Sequence, residues 1–417
     1  MKILIYTHEF PPFAGGAGIY SYDLATGLVS LGAEVHIATP LIEKKEDLEF
    51  PVPKNMYTHY MHKWQSNPPW TYFFLLHLHL EYAFDIVVIT ERRAQEIIAT
   101  LNYPWFRYLA VLHGTEILDY FGNKDKKLNI TPKKMAKFYE QAEICIAGSY
   151  ATLYLAKKLL NTNNLNLVKV YYGININRFG KPNPEDVRNL RQIYGNQTEI
   201  IFSLGRLDLD KGHDVLISAF KKIHESRPNS RLLIGGDGPL KPSLMQLCES
   251  LNLNNYVRFL GKIPQSKISN YFSICDVFAL PSKSENRWEG FGLVYLEANY
   301  YEKPTVGGNE GGVPEAIADK ESGFIVNSRD EDAVAFAITT LLDSKVLRDE
   351  MGIKGKKRVL EYFNSQRMAS ETFEYIKIKT SNFKLFGKVL YSLNLILWII
   401  IYIFFLVGRR LKQLTKI

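Results

Sequence analysis

Three observations predict an α/β fold of two doubly wound parallel sheets facing a cleft, followed by a C-terminal hydrophobic membrane helix. Short β-rich apolar runs alternate with helical segments; the alternation comes in two successive series; and a long uncharged apolar run follows them. At 417 residues the chain is too long for one ordinary core, which agrees with two domains.

The first series consists of Lys2–Tyr6, Glu34–Ala38, Asp85–Thr90, Tyr108–Leu112 and Ile144–Ala147. The second consists of Ile200–Leu204, Arg231–Gly235, Val257–Leu260, Val277–Leu280, Thr305–Val306 and Gly323–Val326. Between Arg178 and Glu199 strand character disappears and Pro182, Pro184, Gly195 and Asn196 gather, which predicts a linker. Open α/β sheets bind ligands beyond the carboxyl ends of their strands, so two such sheets face each other with Gly-rich loops on both walls.

Charge excludes one class of partner. Beyond Glu374 the chain holds no acid and eight Lys and Arg, the whole of the net +8, so residues 1–374 are neutral and no nucleic-acid partner is expected. Cys145, Cys248 and Cys275 are widely spaced within apolar runs, with no metal or disulfide pattern. The first apolar run is short and leads into His8, Glu9 and two prolines, unlike a secretory leader, so the body is expected in the cytoplasm. The run Val389–Val407 carries no charge and is bracketed by Lys384, Lys388, Arg409 and Arg410. As a helix it would be roughly 28 Å long at about 1.5 Å per residue, close to the hydrocarbon thickness of a bilayer. It is expected to enter the membrane; a buried helix or one lying in the interface is the alternative, and the bases at both ends leave orientation open.

Four stretches carry chemistry. "THEFPPFAGGAGIY", Thr7 to Tyr20, places Gly15, Gly16 and Gly18 between a strand and a helix with apolar spacing at Tyr20, Leu24 and Leu28. Such a turn suits phosphate, although its Gly-Gly-Ala-Gly spacing is not the dinucleotide pattern. "SLGRLDLDKGHD", Ser203 to Asp214, offers the planar fork of Arg206 and the point charge of Lys211 at the end of a strand, a pair suited to a diphosphate. "EGFGLVYLE" sets Glu289 and Glu297 eight residues apart around Gly290 and Gly292, on one side of a helix entry. "NEGGVPE" bares backbone N–H groups of Gly311 and Gly312 at a helix start, where anions bind. Taken singly, the arginine and lysine are more often solvated, and the two glutamates more often an ordinary helix start with an acidic N-terminus.

Their order, with Gly-Asp-Gly-Pro at 236–239 and Pro281-Ser282 between them, closely resembles the retaining glycosyltransferases of family 4, which have the GT-B fold. The resemblance covers residues 1 to about 375. It implies an acceptor-side domain at 1–178, a nucleotide-sugar domain at 179–360 and a helix at 361–383 returning to the first domain; the basic-flanked membrane segment and tail at 384–417 rest on the charge and hydropathy pattern instead. Gly15 and Gly16 would lie under the donor diphosphate, Arg206 and Lys211 would bind it from the other wall, and Glu297 would hold the ribose hydroxyls. Glu289 would contact the donor sugar, and Gly311 and Gly312 would give N–H groups to sugar or phosphate. Gly292 and Leu293 at the helix entry, with Ile263 in the loop Gly261–Lys267 beside the base, would complete the donor site. His113, in "VLHGTE", matches the family histidine near the reacting carbon, so His113, Glu289, Arg206 and Lys211 are the expected catalytic groups.

In that family the leaving diphosphate helps deprotonate the incoming hydroxyl on the same face of the sugar, and no metal or other cofactor is required. Asp208-Leu-Asp210 is accordingly read as a solvated turn, and His77-Leu-His79 as packing. Tyr172-Gly173-Ile174-Asn175 replaces the family's interdomain Asn-Gly-Ile/Val-Asp and is expected to touch only the hinge. "KSENRW" before Glu289 is longer than in many relatives and introduces Glu285 as a rival, but only Glu289 gives Gly-Phe-Gly and the eight-residue step.

The expected function is sugar transfer from a UDP- or GDP-linked donor to a lipid-linked or membrane-proximal glycan, on the cytoplasmic side of a membrane. An epimerase or phosphorylase of similar fold would need no tail. A non-catalytic partner of another transferase would have degraded phosphate and glutamate positions. The basic stretch Gly122–Lys137 is either a lipid contact or a solvated face.

Overall fold

The computed structural model, which describes residues 1–11, 15–41, 50–101, 104–122, 127–161, 163–381, 396, 398–400 and 403, contains two parallel sheets. The first comprises β1 (Lys2–Tyr6), β2 (Glu34–Pro40), β3 (Met56–Met61), β4 (Ile86–Ile89), β5 (Tyr108–Leu112), β6 (Ile144–Ala147) and β7 (Leu167–Lys169), in the spatial order β3-β2-β1-β4-β5-β6-β7. The second comprises β8 (Glu199–Leu204), β9 (Ser230–Gly235), β10 (Val257–Gly261), β11 (Val277–Leu280), β12 (Thr305–Gly308) and β13 (Gly323–Val326), ordered β10-β9-β8-β11-β12-β13.

Central strands such as ILIY, IVVI and YLAVL are buried throughout, because helices cover both faces of each sheet. Each sheet reverses its winding direction beside its first strand: β1 pairs with both β2 and β4, and β8 with both β9 and β11. The crevices at these reversals fix where ligands enter. One apolar cluster runs continuously from Ile3 and Val88 through Tyr172 and Phe179 to Phe278 and Phe291, so the domains share core on the hinge side.

Two strands escape the apolar-run criterion. β3 reads MYTHYM with its middle half exposed, and β7 has three half-buried residues; both are edge strands, for which continuous burial is not required.

The predicted linker also needs correction, since Pro184–Tyr194 is a helix. Asn183 caps it by accepting from the N–H groups of Glu185 and Asp186, Pro184 fills its first turn and Gly195 (φ +102°) ends it. Val187, Leu190 and Tyr194 pack into the core, and the Asn183 N–H donates to Asn270 at 2.8 Å, so this helix is part of the second domain. The chain crosses between domains earlier, around Ile174–Phe179.

The helix Ser365–Ser381 lies on the first domain. A Cβ at Gly27 would stand 2.6 Å from Ala369 Cβ, and Arg107 Nη2 donates to the Lys379 carbonyl at 2.8 Å. Beyond it, Trp398 sits 5.9 Å from the Tyr72 ring, while Ile396, Ile400 and Ile403 are about half exposed. The expected membrane segment Val389–Val407 otherwise lies outside the described residues, and among the described residues no helix is long and apolar enough to cross a membrane. Of the basic stretch Gly122–Lys137, residues 123–126 are outside the described residues; the remainder enters a helix, Pro132–Gln141, that buries Met135 and Phe138.

Candidate active site

The motif loops converge at the two winding reversals. Those after β1, β4 and β5 form the wall of the first domain, and those after β8, β11 and β12 form the wall of the second.

On the second wall, Leu209–Lys211 is a single 3-10 turn closed by Gly212 in the left-handed region (φ +65°), which turns the chain into the helix His213–Ser226. The Lys211 ammonium is ion-paired with the Glu289 carboxylate. Burial is the largest single influence and would lower the lysine, but the charge and hydrogen bond of Glu289, joined by the charges of Asp208 and Asp210, together hold the ammonium above its ordinary value. Arg206 stands apart from this pair. Its side chain is 53% exposed, and Nε lies 3.3 Å from Asp208. The turn around it is tightly laid: Ile263 packs onto Gly235, and the Gly205 backbone packs onto Gly236.

Asp208-Leu-Asp210 is not the solvated turn expected. Asp210 is buried; its carboxylate accepts from the N–H groups of Asn286 (2.8 Å) and Arg287 (3.0 Å), and its carbonyl from that of Lys283 (2.8 Å). It anchors the "KSENRW" loop to the lysine turn. Glu285, the rival glutamate, lies 3.6 Å from Lys283 and 3.7 Å from Arg329, outside the Lys211 pair.

Gly312 does not offer a free donor. Its N–H donates to the Glu289 carbonyl at 2.8 Å, and the helix that follows, Val313–Ala316, is a single turn. Gly311 (φ +62°) and Gly312 press their α-carbons onto the backbone of Glu289 and Gly290, where no side chain fits. Gly292 (φ +86°) starts the helix Leu293–Tyr300, with Leu293 partly buried at its entry. Glu297, also on this helix, is buried, and Arg178 Nη2 donates to its Oε1 at 2.6 Å.

On the first wall, Gly15 precedes the helix Gly16–Ser30; among the described residues no side chain caps this helix, and a Cβ at Gly16 would meet nothing within 4 Å. Pro12, Phe13 and Ala14 lie outside the described residues. His113 follows β5. Nε2 lies 2.5 Å from the Thr90 carbonyl, which only accepts, so this nitrogen carries a hydrogen; Nδ1 lies 2.5 Å from the Tyr172 hydroxyl. Both ring nitrogens are therefore engaged. Tyr172, expected to touch only the hinge, reaches the site by bonding the histidine. A Cβ at Gly290 would lie 2.6 Å from the His113 carbonyl, so Glu289 and His113 stand on abutting backbones from opposite domains.

Two further contacts bridge the cleft. The Trp288 N–H meets Thr115 Oγ1 at 3.1 Å, its indole N–H donates to Thr152 at 3.1 Å, and its ring fills the space that a side chain at Gly114 would need. Glu315 accepts from the N–H groups of Tyr150 and Ala151, both at 2.8 Å, capping the helix Tyr150–Leu159 from the other domain. Sequence reasoning missed Arg178, Asp23, Trp288 and Glu315 as site-organising residues. Arg178 sits beside the assigned domain boundary and Trp288 in the long loop, but their partners are distant in sequence. Of the remaining expectations, His79 packs its ring 5.2 Å from Trp105 but His77, also expected to pack, is exposed beside Glu81; Cys145, Cys248 and Cys275 are buried free thiols, Cys145 and Cys275 pushed up to about 12 by burial.

The arrangement places a lysine, an arginine and an uncapped helix start around a space bounded by carboxylates, which suits a diphosphate bearing polyhydroxyl groups at both ends. Comparison with known proteins bears on this chemistry. Residues 14–178 match the family model described as Glycosyltransferase Family 4, and residues 186–358 match that described as Glycosyl transferases group 1. A GDP-mannose-dependent alpha-(1-6)-phosphatidylinositol monomannoside mannosyltransferase of Mycolicibacterium smegmatis is 32% identical over 193 residues, 45% of this chain and 50% of that protein. The chain thus matches about half the length of this relative. An N-acetyl-alpha-D-glucosaminyl L-malate synthase of Bacillus anthracis is 26% identical over 86% of this chain and 93% of its own. Among solved structures, a sucrose-phosphate synthase from Thermosynechococcus elongatus superposes with a TM-score of 0.74 at 21% identity, covering 90% of this chain and 98% of its own, which shows the shared fold.

Proposed function

The chain belongs to the GT-B glycosyltransferases of family 4, and on that premise we propose that it moves a sugar, with retained configuration, from a UDP- or GDP-linked donor to a lipid-linked or membrane-proximal glycan. The work belongs to glycolipid or cell-surface polysaccharide synthesis. The observation that carries the donor half is the Lys211–Glu289 pair beside Gly311 and Gly312, facing a cleft whose other wall carries the open helix start at Gly16. The phosphatidylinositol mannosyltransferase relative and the uncharged run Val389–Val407 support a lipid acceptor at the cytoplasmic side of a membrane, with the tail as anchor.

Lys211 and Arg206 would draw the diphosphate oxygens as the glycosidic bond breaks, stabilising the charge that grows there without a metal or other cofactor. Glu289 would exchange its hold on Lys211 for hydroxyls of the donor sugar, leaving the ammonium to the phosphate. Gly16 and the N–H groups of its helix would close over the same diphosphate. His113 would border the reacting carbon, its ring set by Thr90 and Tyr172, and Glu297 would take the ribose. Gly292, Leu293 and Ile263 would line the nucleoside.

The test is transfer of label from UDP- and GDP-sugars into the lipid phase of membranes carrying the full chain. Label dependent on Glu289 and Lys211 supports the reading; full activity in Lys211→Ala removes the diphosphate assignment.

A further inference from the structure

Arg178 stands where the chain leaves the first domain, and its side chain is 1% exposed. Nη2 donates to Glu297 Oε1 at 2.6 Å, and Nε lies 3.3 Å from the Asp23 carboxylate. The face of the guanidinium rests 4.1 Å from the centre of the Phe179 ring. Its two partners belong to different domains. Asp23 is on the helix Gly16–Ser30 that the glycine loop begins, and Glu297 is on the helix Leu293–Tyr300. The hinge is stitched to the first of these helices a second time, by Asn175 Nδ2 donating to Thr26 Oγ1 at 3.0 Å.

One guanidinium for two buried carboxylates leaves a negative charge uncompensated where charge is costly. Burial is the larger influence on Asp23 and pushes its carboxyl up to about 6, against the opposing pull of Arg178. Glu297 spends Oε1 on Arg178, and among the described residues no hydrogen bond reaches Oε2. A vicinal diol brings two O–H donors and no charge, so it satisfies such a carboxylate without adding to the imbalance. A planar guanidinium also holds its two carboxylate partners, through Nη2 and Nε, in a fixed mutual direction, which an ammonium does not.

We propose that Arg178 is the positioning residue for the donor ribose. It sets the Glu297 carboxylate to receive the ribose hydroxyls and, by holding Asp23 with the same guanidinium, carries ribose occupancy to the helix that opens with the glycine loop. This rests on the reading of Glu297 as the ribose holder. The role is distinct from stiffening the hinge, since it predicts a defect confined to the ribose.

Titration calorimetry of the purified full chain with UDP and GDP, each paired with its 2′,3′-dideoxy analogue, separates the possibilities. Wild type should prefer the ribonucleotide of the base it uses. Arg178→Lys should bind that ribonucleotide about tenfold more weakly and the dideoxy form unchanged, erasing the preference, as should Glu297→Gln. If Glu297→Gln keeps the preference, the ribose reading falls and this inference with it. If Glu297→Gln loses it but folded Arg178→Lys keeps it, the inference alone is overturned. Should Arg178→Lys fail to fold, Asp23→Asn decides, because it alters neither Glu297 nor the nucleotide. A change of about threefold or more in ribose preference supports the coupling through Arg178, and an unchanged preference overturns it.

Discussion

Lys211 and Glu289 neutralise each other across the motif loops of the second domain: a cation suited to phosphate is held by a carboxylate suited to sugar. Glu289, with Asp208 and Asp210, keeps Lys211 charged despite its burial. Lys211→Ala should therefore lower kcat by about 100- to 1000-fold, the usual cost of losing one preorganised donor to developing charge. Glu289→Gln should weaken donor binding while leaving Lys211 charged. Transfer rates at saturating and limiting donor distinguish the two.

Gly16 can accept a methyl group, since a Cβ there would meet nothing within 4 Å among the described residues. Gly16→Ala should leave the unfolding midpoint unchanged or raise stability by about 0.4–1 kcal/mol, through the smaller entropy of the unfolded chain. Donor turnover should nevertheless fall, because the methyl occupies the space assigned to the diphosphate. Urea unfolding and initial rates measured on the same preparation check both halves.

Trp288 bridges the cleft by hydrogen bonds to Thr115 and Thr152 and by filling the space over Gly114. Trp288→Ala should open the domains and alter kcat and KM together, by about tenfold in kcat/KM, as expected for residues that govern closure. Small-angle scattering should show an increased radius of gyration. An unchanged radius with lost activity would instead assign Trp288 to substrate contact.

His213 is buried with neither ring nitrogen hydrogen-bonded among the described residues, and burial, with the neighbouring Lys211 charge, pushes it down to about 3. A histidine lowered in the folded state contributes stability that is complete above the unfolded value near 6.5 and is lost as pH falls toward the folded value. The expected loss is on the order of 1.4 kcal/mol per pH unit from this group alone. His8 and His59, both lowered to about 4, add to the same acid sensitivity. His213→Leu should remove its own share, so the gap between variant and wild type in urea midpoint should widen from pH 7 to pH 4.

Strands buried on both faces announce themselves as apolar runs, and for that reason β1, β4, β5 and β6 were legible in the sequence. β3 and β7 were not, because an edge strand meets the core through only part of its surface. The helix at 184–194 carried its own signs, Asn183-Pro184 before it and Gly195 after it, but these same residues also mark turns. Within the site, sequence motifs located the loops but not their pairings. That Gly312 is spent on the Glu289 carbonyl, and that Tyr172 rather than solvent meets His113, are long-range facts that no local spacing encodes. Arg178 shows the limit most clearly: it lies 155 residues from Asp23 and 119 from Glu297.

The returning helix Ser365–Ser381 has a mechanical consequence. It leaves the second domain yet ends against the first, secured at Gly27 and by the bond from Arg107 to Lys379. Any grip on the residues that follow it would thus be a grip on the first domain. Under the proposed anchoring, the first domain would be the fixed jaw and the second the jaw that swings, so that donor could load and leave without moving the attachment point.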